Sequence, residues 1–294
     1  MDGRPYIGRF APSPSGHLHF GSLIAAVASF CDAKSNHGTW LLRIENLDPP
    51  REVEGCADDI LRTLEGFGLV WDNVVQYQSK RHHLYNSALH KLKGLGMTFE
   101  CACSRKDLAT VGGLDFYPGT CRNGISHYKE EKSIRFQVSK SFIENVTYDD
   151  LVQGSQNMLK SALGDFILRR ADGYFAYHLA VVIDDAEQGI TNIVRGADLM
   201  DSTPRHLLLQ DALSFKSPLY AHIPLAYNIM EDKLSKSTKA FPIQIQNAPN
   251  QIYDALKFLG QSEVGIDSPK NMLSQAIHQW DISKVPKSSN TYWT

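Results

Sequence analysis

The chain has 294 residues, a formal net charge of −2, 43% hydrophobic and 21% charged residues, the balance of an ordinary globular protein with one large or two to three modest domains. No run approaches the roughly 18 apolar residues of a membrane span, and "MDGRPYIGRF" carries no charged-then-apolar leader, so the expected compartment is the cytoplasm. Five cysteines, an odd number, argue against a disulfide framework, while near-neutral charge excludes no nucleic-acid partner, which needs only a local basic face.

In chain order, Tyr6–Ala11 predicts a short strand, "GSLIAAVASFCDAK" a helix, and Thr39–Asp48 a second strand stopped by Pro49 and Pro50. Strand, helix, strand is the grammar of a parallel sheet. "EVEGCADDILRTLEGFGL" and "SKRHHLYNSALHKLKGLG" predict two amphipathic helices, each closing on glycine. From Phe99 the texture changes to "CACSRKDL", a Gly-rich "VGGLDFYPGTC", and β-like runs in "KSIRFQV" and "DFILRRADGYFAYHLAVVID". "NIVRGADLMDSTPRHLLLQDALSF" restores strand then helix, with Pro204 after Ser202 and Thr203 as a helix start. "EDKLSKSTKA" is a basic loop, and the last fifty residues read as mostly helical. The expectation is an α/β chain. Residues 1–98 and 186–240 form the halves of a parallel-sheet nucleotide-binding domain, 99–185 an α+β insert, and 241–294 a helical tail.

"RFAPSPSGHLHFGSL" (Arg9–Leu23) sets Pro12, Pro14 and Gly16 beside two histidines, His17 and His19, at a helix start. Unpaired backbone N–H groups and the positive dipole end there suit phosphate. Gly21 lets a bulky ligand approach the backbone, and His19 can donate to phosphate oxygens. Lys233 and Lys236, in "KLSKS", make a cationic loop able to fold over a triphosphate. Each motif alone also fits an ordinary surface loop. Together and in this order they resemble the signatures of class I aminoacyl-tRNA synthetases: "HFGS" stands for His-Ile-Gly-His and "KLSKS" for Lys-Met-Ser-Lys-Ser. Ser22 departs from the final histidine of the first signature, as glutamyl-type members often do. "RFAPSPSG", "RIENLDPPR", "GITNIVRGADL" and "STPRHLLLQDAL" resemble glutamyl-tRNA synthetase blocks in their usual order. Asn46 departs from the family's Asp; Asp48 is retained.

That resemblance implies a class I, Rossmann-like catalytic domain that activates L-glutamate. Free glutamate offers two carboxylates and an ammonium, so its pocket wants two cations and an anion. The family's positions supply Arg9 and Arg195 as cations, Glu45 as the anion, and Ser13 and Tyr177 as hydroxyls, with Phe10, Ala11 and Pro12 in the same stretch. The α-carboxylate needs no general base to attack the α-phosphorus of ATP, so catalysis rests on positioning and charge stabilisation. His19, Gly21 and Ser22 would serve ATP, Lys233 and Lys236 the departing pyrophosphate, and Mg²⁺ would accompany ATP.

Cys101, Cys103 and Cys121 within one Gly-rich insert suggest structural Zn²⁺, with Tyr117 or His127 as the fourth ligand. A truncated glutamyl-type paralogue family resembles this segment, with a Cys-x-Cys…Tyr-x-x-x-Cys zinc site, and that resemblance selects Tyr117. Those paralogues esterify glutamate to queuosine in the anticodon of tRNA(Asp), which implies the tRNA(Asp) anticodon stem-loop as partner and no separate anticodon-binding domain. The alternatives are an ordinary synthetase charging a tRNA 3′ end and a catalytically silent, zinc-stabilised RNA-binding paralogue.

Overall fold

The computed structural model describes residues 3–113, 116–125, 129–227, 242–287 and 290–292. β1 (Ile7–Phe10) runs into α1 (Phe20–Ser35), which returns to β2 (Thr39–Ile44), parallel to β1 with Arg9 opposite Leu41. α1 is buried along Leu23–Ala33. Its surroundings include Trp40, which is fully buried, edges onto Phe30 and donates to Ser29 Oγ at 3.0 Å. α2 (Cys56–Gly66) follows, then β3 (Gln76–Tyr77), which extends the sheet beside β2, then α3 (His82–Gly94). Both helices close as expected on left-handed glycines, Gly68 at φ +73° and Gly96 at φ +69°, a conformation that costs glycine no Cβ clash.

β4 (Thr98–Cys101) leads to α4 (Arg105–Thr110), opened by a reciprocal Ser104/Asp107 capping box. β5 (Ser133–Phe136) follows, then the β6 (Asn145–Asp150) and β7 (Gly154–Leu159) hairpin, then β8 (Phe166–Arg169). β4, β5 and β8 form an antiparallel sheet in the order β4-β5-β8. The predicted β-like run through Asp184 holds only as far as β8. Tyr177–Glu187 is a helix, α5, buried from Leu179 to Asp185. Its "LAVVI" reads as a strand because a short apolar run has no visible period when every face is covered.

β9 (Asn192–Gly196), α6 (Thr203–Leu213) and β10 (Leu219–Ile223) repeat the parallel unit. The β6–β7 hairpin joins it, giving the order β7-β6-β10-β9. The two parallel units meet where Thr191 N–H donates to Ile7 O at 2.9 Å and Ile7 N–H to Thr191 Oγ1 at 2.8 Å. That seam lies between β1 and β9, where parallel sheets of this kind open their ligand crevice at the carboxyl ends of the strands. β11 (Leu225–Tyr227) then precedes α7 (Ala248–Phe258) and α8 (Pro269–Gln279), and β12 (Asn290–Tyr292) pairs with β11. α7 and α8 share the α1 core, and Trp280 Nε1 donates to the buried Asp32 at 2.9 Å.

Candidate active site

The ends of β1, β2 and β9 and the body of α5 place a set of charges at the seam. Arg9 on β1 is buried and donates from Nε to Asp185 Oδ1 of α5 at 3.1 Å. Arg43 on β2 is wholly buried and donates to the same oxygen at 2.7 Å and to Gln188 Oε1 at 2.6 Å. The Arg43 guanidinium also lies 3.6 Å from Glu45 Oε1 and 3.9 Å from Asp184 Oδ2. Asp184 is fully buried and accepts from Gln78, Arg81 and Tyr85 at 2.6 to 3.0 Å. Burial alone would raise the Asp185 carboxyl; Arg9 and Arg43 outweigh it and hold the group ionised below its ordinary range.

Glu45 sits where β2 ends, its backbone N–H tied to Pro12 O at 3.0 Å, so the two strand ends are held together. Burial pushes its carboxyl from 4.5 to about 7 against the pull of Arg43 and Arg9. Its Oε1 is buried and has no hydrogen-bond partner among the described residues. Such an atom costs free energy unless a ligand satisfies it. Across the seam, Arg195 on β9 donates to Tyr177 Oη at 3.2 Å, and Tyr177 opens α5.

Glu45, Gln78 and Tyr177 line a cavity of about 800 Å³, with the buried arginines and aspartates behind them. Ala11, Ser13, Glu45 and Tyr177 line it, as do Leu108, Tyr117 and Arg135. Arg51, Arg105, Arg170 and Arg205 also line it, with Asp48 and Glu52 among them. Asp48 accepts from Arg51 at 2.5 Å and Arg170 at 3.1 Å, while Asn46 exchanges hydrogen bonds with Ser79. Of the expected pocket residues, Phe10 turns its side chain into the core, stacked on Trp40 at 6.3 Å, and Pro12 is buried.

His19 caps α1. Its Nδ1 accepts from Ser22 N–H at 3.3 Å, and its Nε2 lies 3.0 Å from Ser22 Oγ. With Nδ1 accepting, Nε2 carries the proton, so Ser22 orients His19 at the helix start beside Gly21. Lys233 and Lys236 lie outside the described residues, as does His127.

In the antiparallel module the sulfurs of Cys101, Cys103 and Cys121 lie within 4.8 Å of one another, Cys103 and Cys121 at 3.6 Å. A tetrahedron with metal–sulfur bonds of about 2.3 Å has edges of about 3.8 Å. Tyr117 Oη lies 3.3 Å from Cys101 Sγ and accepts from Cys121 N–H at 2.9 Å. Burial would raise the Cys101 thiol; hydrogen bonds from Tyr117 and Arg135 outweigh it and bring it to about 7. The three sulfurs are spaced as thiolates on one tetrahedral ion would be.

Arg43, Asp184 and Asp185 were not singled out in the sequence. A charge inside an apolar run, Arg43 in "TWLLRI" and the acidic pair in "AVVIDD", was the available signal, because such groups are buried only when paired.

Residues 7–260 match the family described as tRNA synthetases class I (E and Q), catalytic domain. The chain belongs to that family and is an enzyme of the aminoacyl-tRNA synthetase, ligase type. Among its relatives, the glutamyl-Q tRNA(Asp) synthetase of Chromobacterium violaceum is 49% identical over 97% of each chain. That of Pseudomonas putida is 48% identical over 95% of this chain and 94% of its own. A glutamate tRNA ligase from Elizabethkingia meningosepticum, solved in complex with its amino acid, superposes with a TM-score of 0.81 at 25% identity. This chain is covered to 97% and spans 66% of that one.

Proposed function

We propose that this enzyme activates L-glutamate with ATP, without requiring tRNA, and transfers it to queuosine in the anticodon of tRNA(Asp) in the cytoplasm. The observation that carries the reading is the buried Glu45 Oε1, which accepts no hydrogen bond among the described residues, in a seam that also holds Arg9, Arg195 and Tyr177. An α-ammonium would satisfy that carboxylate, and the arginines would meet the two carboxylates of glutamate. Ser13, with Ala11, would close the pocket.

The chemistry then needs little from the protein beyond placement. A carboxylate oxygen of glutamate bonds to the α-phosphorus of ATP as the bond to pyrophosphate breaks. His19, Gly21 and Ser22 at the start of α1 would hold the nucleotide, and Lys233 and Lys236 would neutralise the departing pyrophosphate. Mg²⁺ would enter with ATP. An acceptor hydroxyl then bonds to the glutamyl carbonyl, and AMP leaves. Cys101, Cys103, Tyr117 and Cys121 would hold a structural Zn²⁺, firming the wall of the cavity to which Tyr117 belongs.

The acceptor reading rests on the names of the relatives and on the cavity. Arg51, Arg105, Arg170 and Arg205 line the same cavity as Glu45 and Tyr117, and the phosphates of an RNA loop set against residues 99–185 would meet such cations. A base carrying a cis-diol, flipped into the cavity, would bring its hydroxyl to the adenylate. The test is radiolabelled glutamate with queuosine-containing tRNA(Asp) lacking its 3′-terminal CCA, beside the same RNA without queuosine. Label on the first alone is the expected result; label that needs an intact CCA end returns the enzyme to 3′-end charging. Transfer should weaken with salt, because arginine–phosphate contacts release counterions.

A further inference from the structure

Arg195 is held by a chain of buried polar groups, His222, Thr203 and Asp150. His222 on β10 lies directly opposite it in the parallel register. His222 Nε2 is 3.0 Å from Arg195 Nε, and Thr203 Oγ1, at the start of α6, is 2.8 Å from Arg195 Nη2. Thr203 Oγ1 is also 3.1 Å from His222 Nε2. Behind the imidazole, Asp150 at the end of β6 accepts from His222 Nδ1 at 2.6 Å, both side chains being fully buried. Asp150 Oδ1 is fixed in turn by the backbone N–H groups of Val152, Gln153 and His222, at 3.0, 2.8 and 3.1 Å.

Donor and acceptor chemistry fixes the tautomer of His222. Arginine has donors alone, so His222 Nε2 must accept, and its proton must sit on Nδ1. An ionised Asp150 enforces that tautomer, as a carboxylate behind a functional histidine does elsewhere. Burial, together with the Arg195 cation, outweighs the pull of Asp150 and Asp198 and lowers the His222 pKa, which favours the neutral ring. The Thr203 hydroxyl accepts from Arg195 Nη2 and lies 3.1 Å from Nε2. With Nε and Nη2 so engaged, Nη1 is the edge that meets Tyr177 Oη at the cavity.

We propose that Asp150, His222 and Thr203 are positioning residues. They lock the Arg195 guanidinium so that its Nη1 edge, with Tyr177 Oη, receives a carboxylate of the amino-acid substrate. This rests on the assignment of Arg195 to glutamate binding made above. Asp150 comes from the β6–β7 hairpin and His222 from β10, so the lock also makes the amino-acid pocket depend on the pairing of those two strands.

The informative variant is Asp150→Asn. It keeps Oδ1 for the three backbone donors but replaces Oδ2 with an NH₂ group. That group donates to Nδ1, moves the proton to Nε2, and sets a donor against Arg195. ATP–pyrophosphate exchange should show the KM for glutamate raised about tenfold or more, with the KM for ATP within about twofold of wild type. His222→Gln, which can accept from Arg195 and donate to Asp150, should stay near wild type. If Asp150→Asn does not fold, Thr203→Val, which removes one acceptor from Nη2, should raise the KM for glutamate selectively. KM values that are unchanged, or that rise together for both substrates, overturn the lock. Nitrogen-15 histidine spectra read the tautomer without any activity. The wild type should carry the His222 proton on Nδ1, and a proton on Nε2 refutes the proposal even if glutamate exchange is robust. Absence of glutamate exchange in the wild type would instead remove the substrate reading and leave the tautomer result standing.

Discussion

Arg9 and Arg43, on neighbouring parallel strands, share one carboxylate oxygen: Asp185 Oδ1 lies 3.1 Å from Arg9 Nε and 2.7 Å from Arg43 Nη2. One anion from α5 thereby sets two guanidiniums at the strand ends where the cavity begins.

Asp185→Asn should therefore leave two buried cations short of a counter-charge. Removing one partner of a buried ion pair costs about 3 kcal/mol or more, so the urea midpoint should fall with the m-value unchanged. Because the folded pKa of Asp185 lies below its unfolded value, its stabilisation is present above the ordinary carboxylate range. It is lost as the pH falls through the folded value. The wild type should lose stability in acid more steeply than the variant; parallel acid profiles would contradict the assignment.

Glu45 has the opposite sign. With its carboxyl raised to about 7, its contribution to stability is fully present below its unfolded value and lost as the pH rises through about 7. An ammonium ligand needs the ionised form, so glutamate binding at lower pH must release a proton. The affinity for glutamate should rise by about one log unit per pH unit up to about pH 7 and then level off. Calorimetry in two buffers of different ionisation enthalpy reads the released proton directly. Glu45→Gln should bind weakly at every pH and release none.

Metal analysis of protein purified without added zinc should give one Zn²⁺ per chain. Cys121→Ser should lower that occupancy and drop Tm by more than about 5 °C. The small cluster of Cys101, Leu108, Tyr117 and Cys121 is separate from the larger cores, so it has little else to hold it. Metal-free protein with an unchanged Tm would argue against a structural ion.

Lys236→Ala should lower kcat about a hundredfold while moving the KM for glutamate little, since its contact would form as pyrophosphate leaves. An effect confined to KM would make this lysine a ground-state binding group.

What was legible in the sequence was what short stretches of chain decide. β1, α1 and β2 could be read because the Pro/Gly cluster, the Ala-rich run and Pro49–Pro50 mark their ends locally. The proximity of the cysteines could be read because Cys101 and Cys121 lie within one short insert, while Arg9, Glu45 and Arg195 became candidates through the ordered motifs that carry them and Tyr177 only through the family's pocket positions. α5 misled, since burial on every side erases the period that separates helix from strand. The partners of the site were decided by tertiary structure alone. Asp185 reaches Arg43 across 142 positions, and Asp150 reaches His222 across 72. The first pair exists because α5 brings Asp185 against β2, the second because β6 and β10 pair in parallel. Local propensity records how each strand forms, but the free energy of a buried charge depends on which other strand lies beside it.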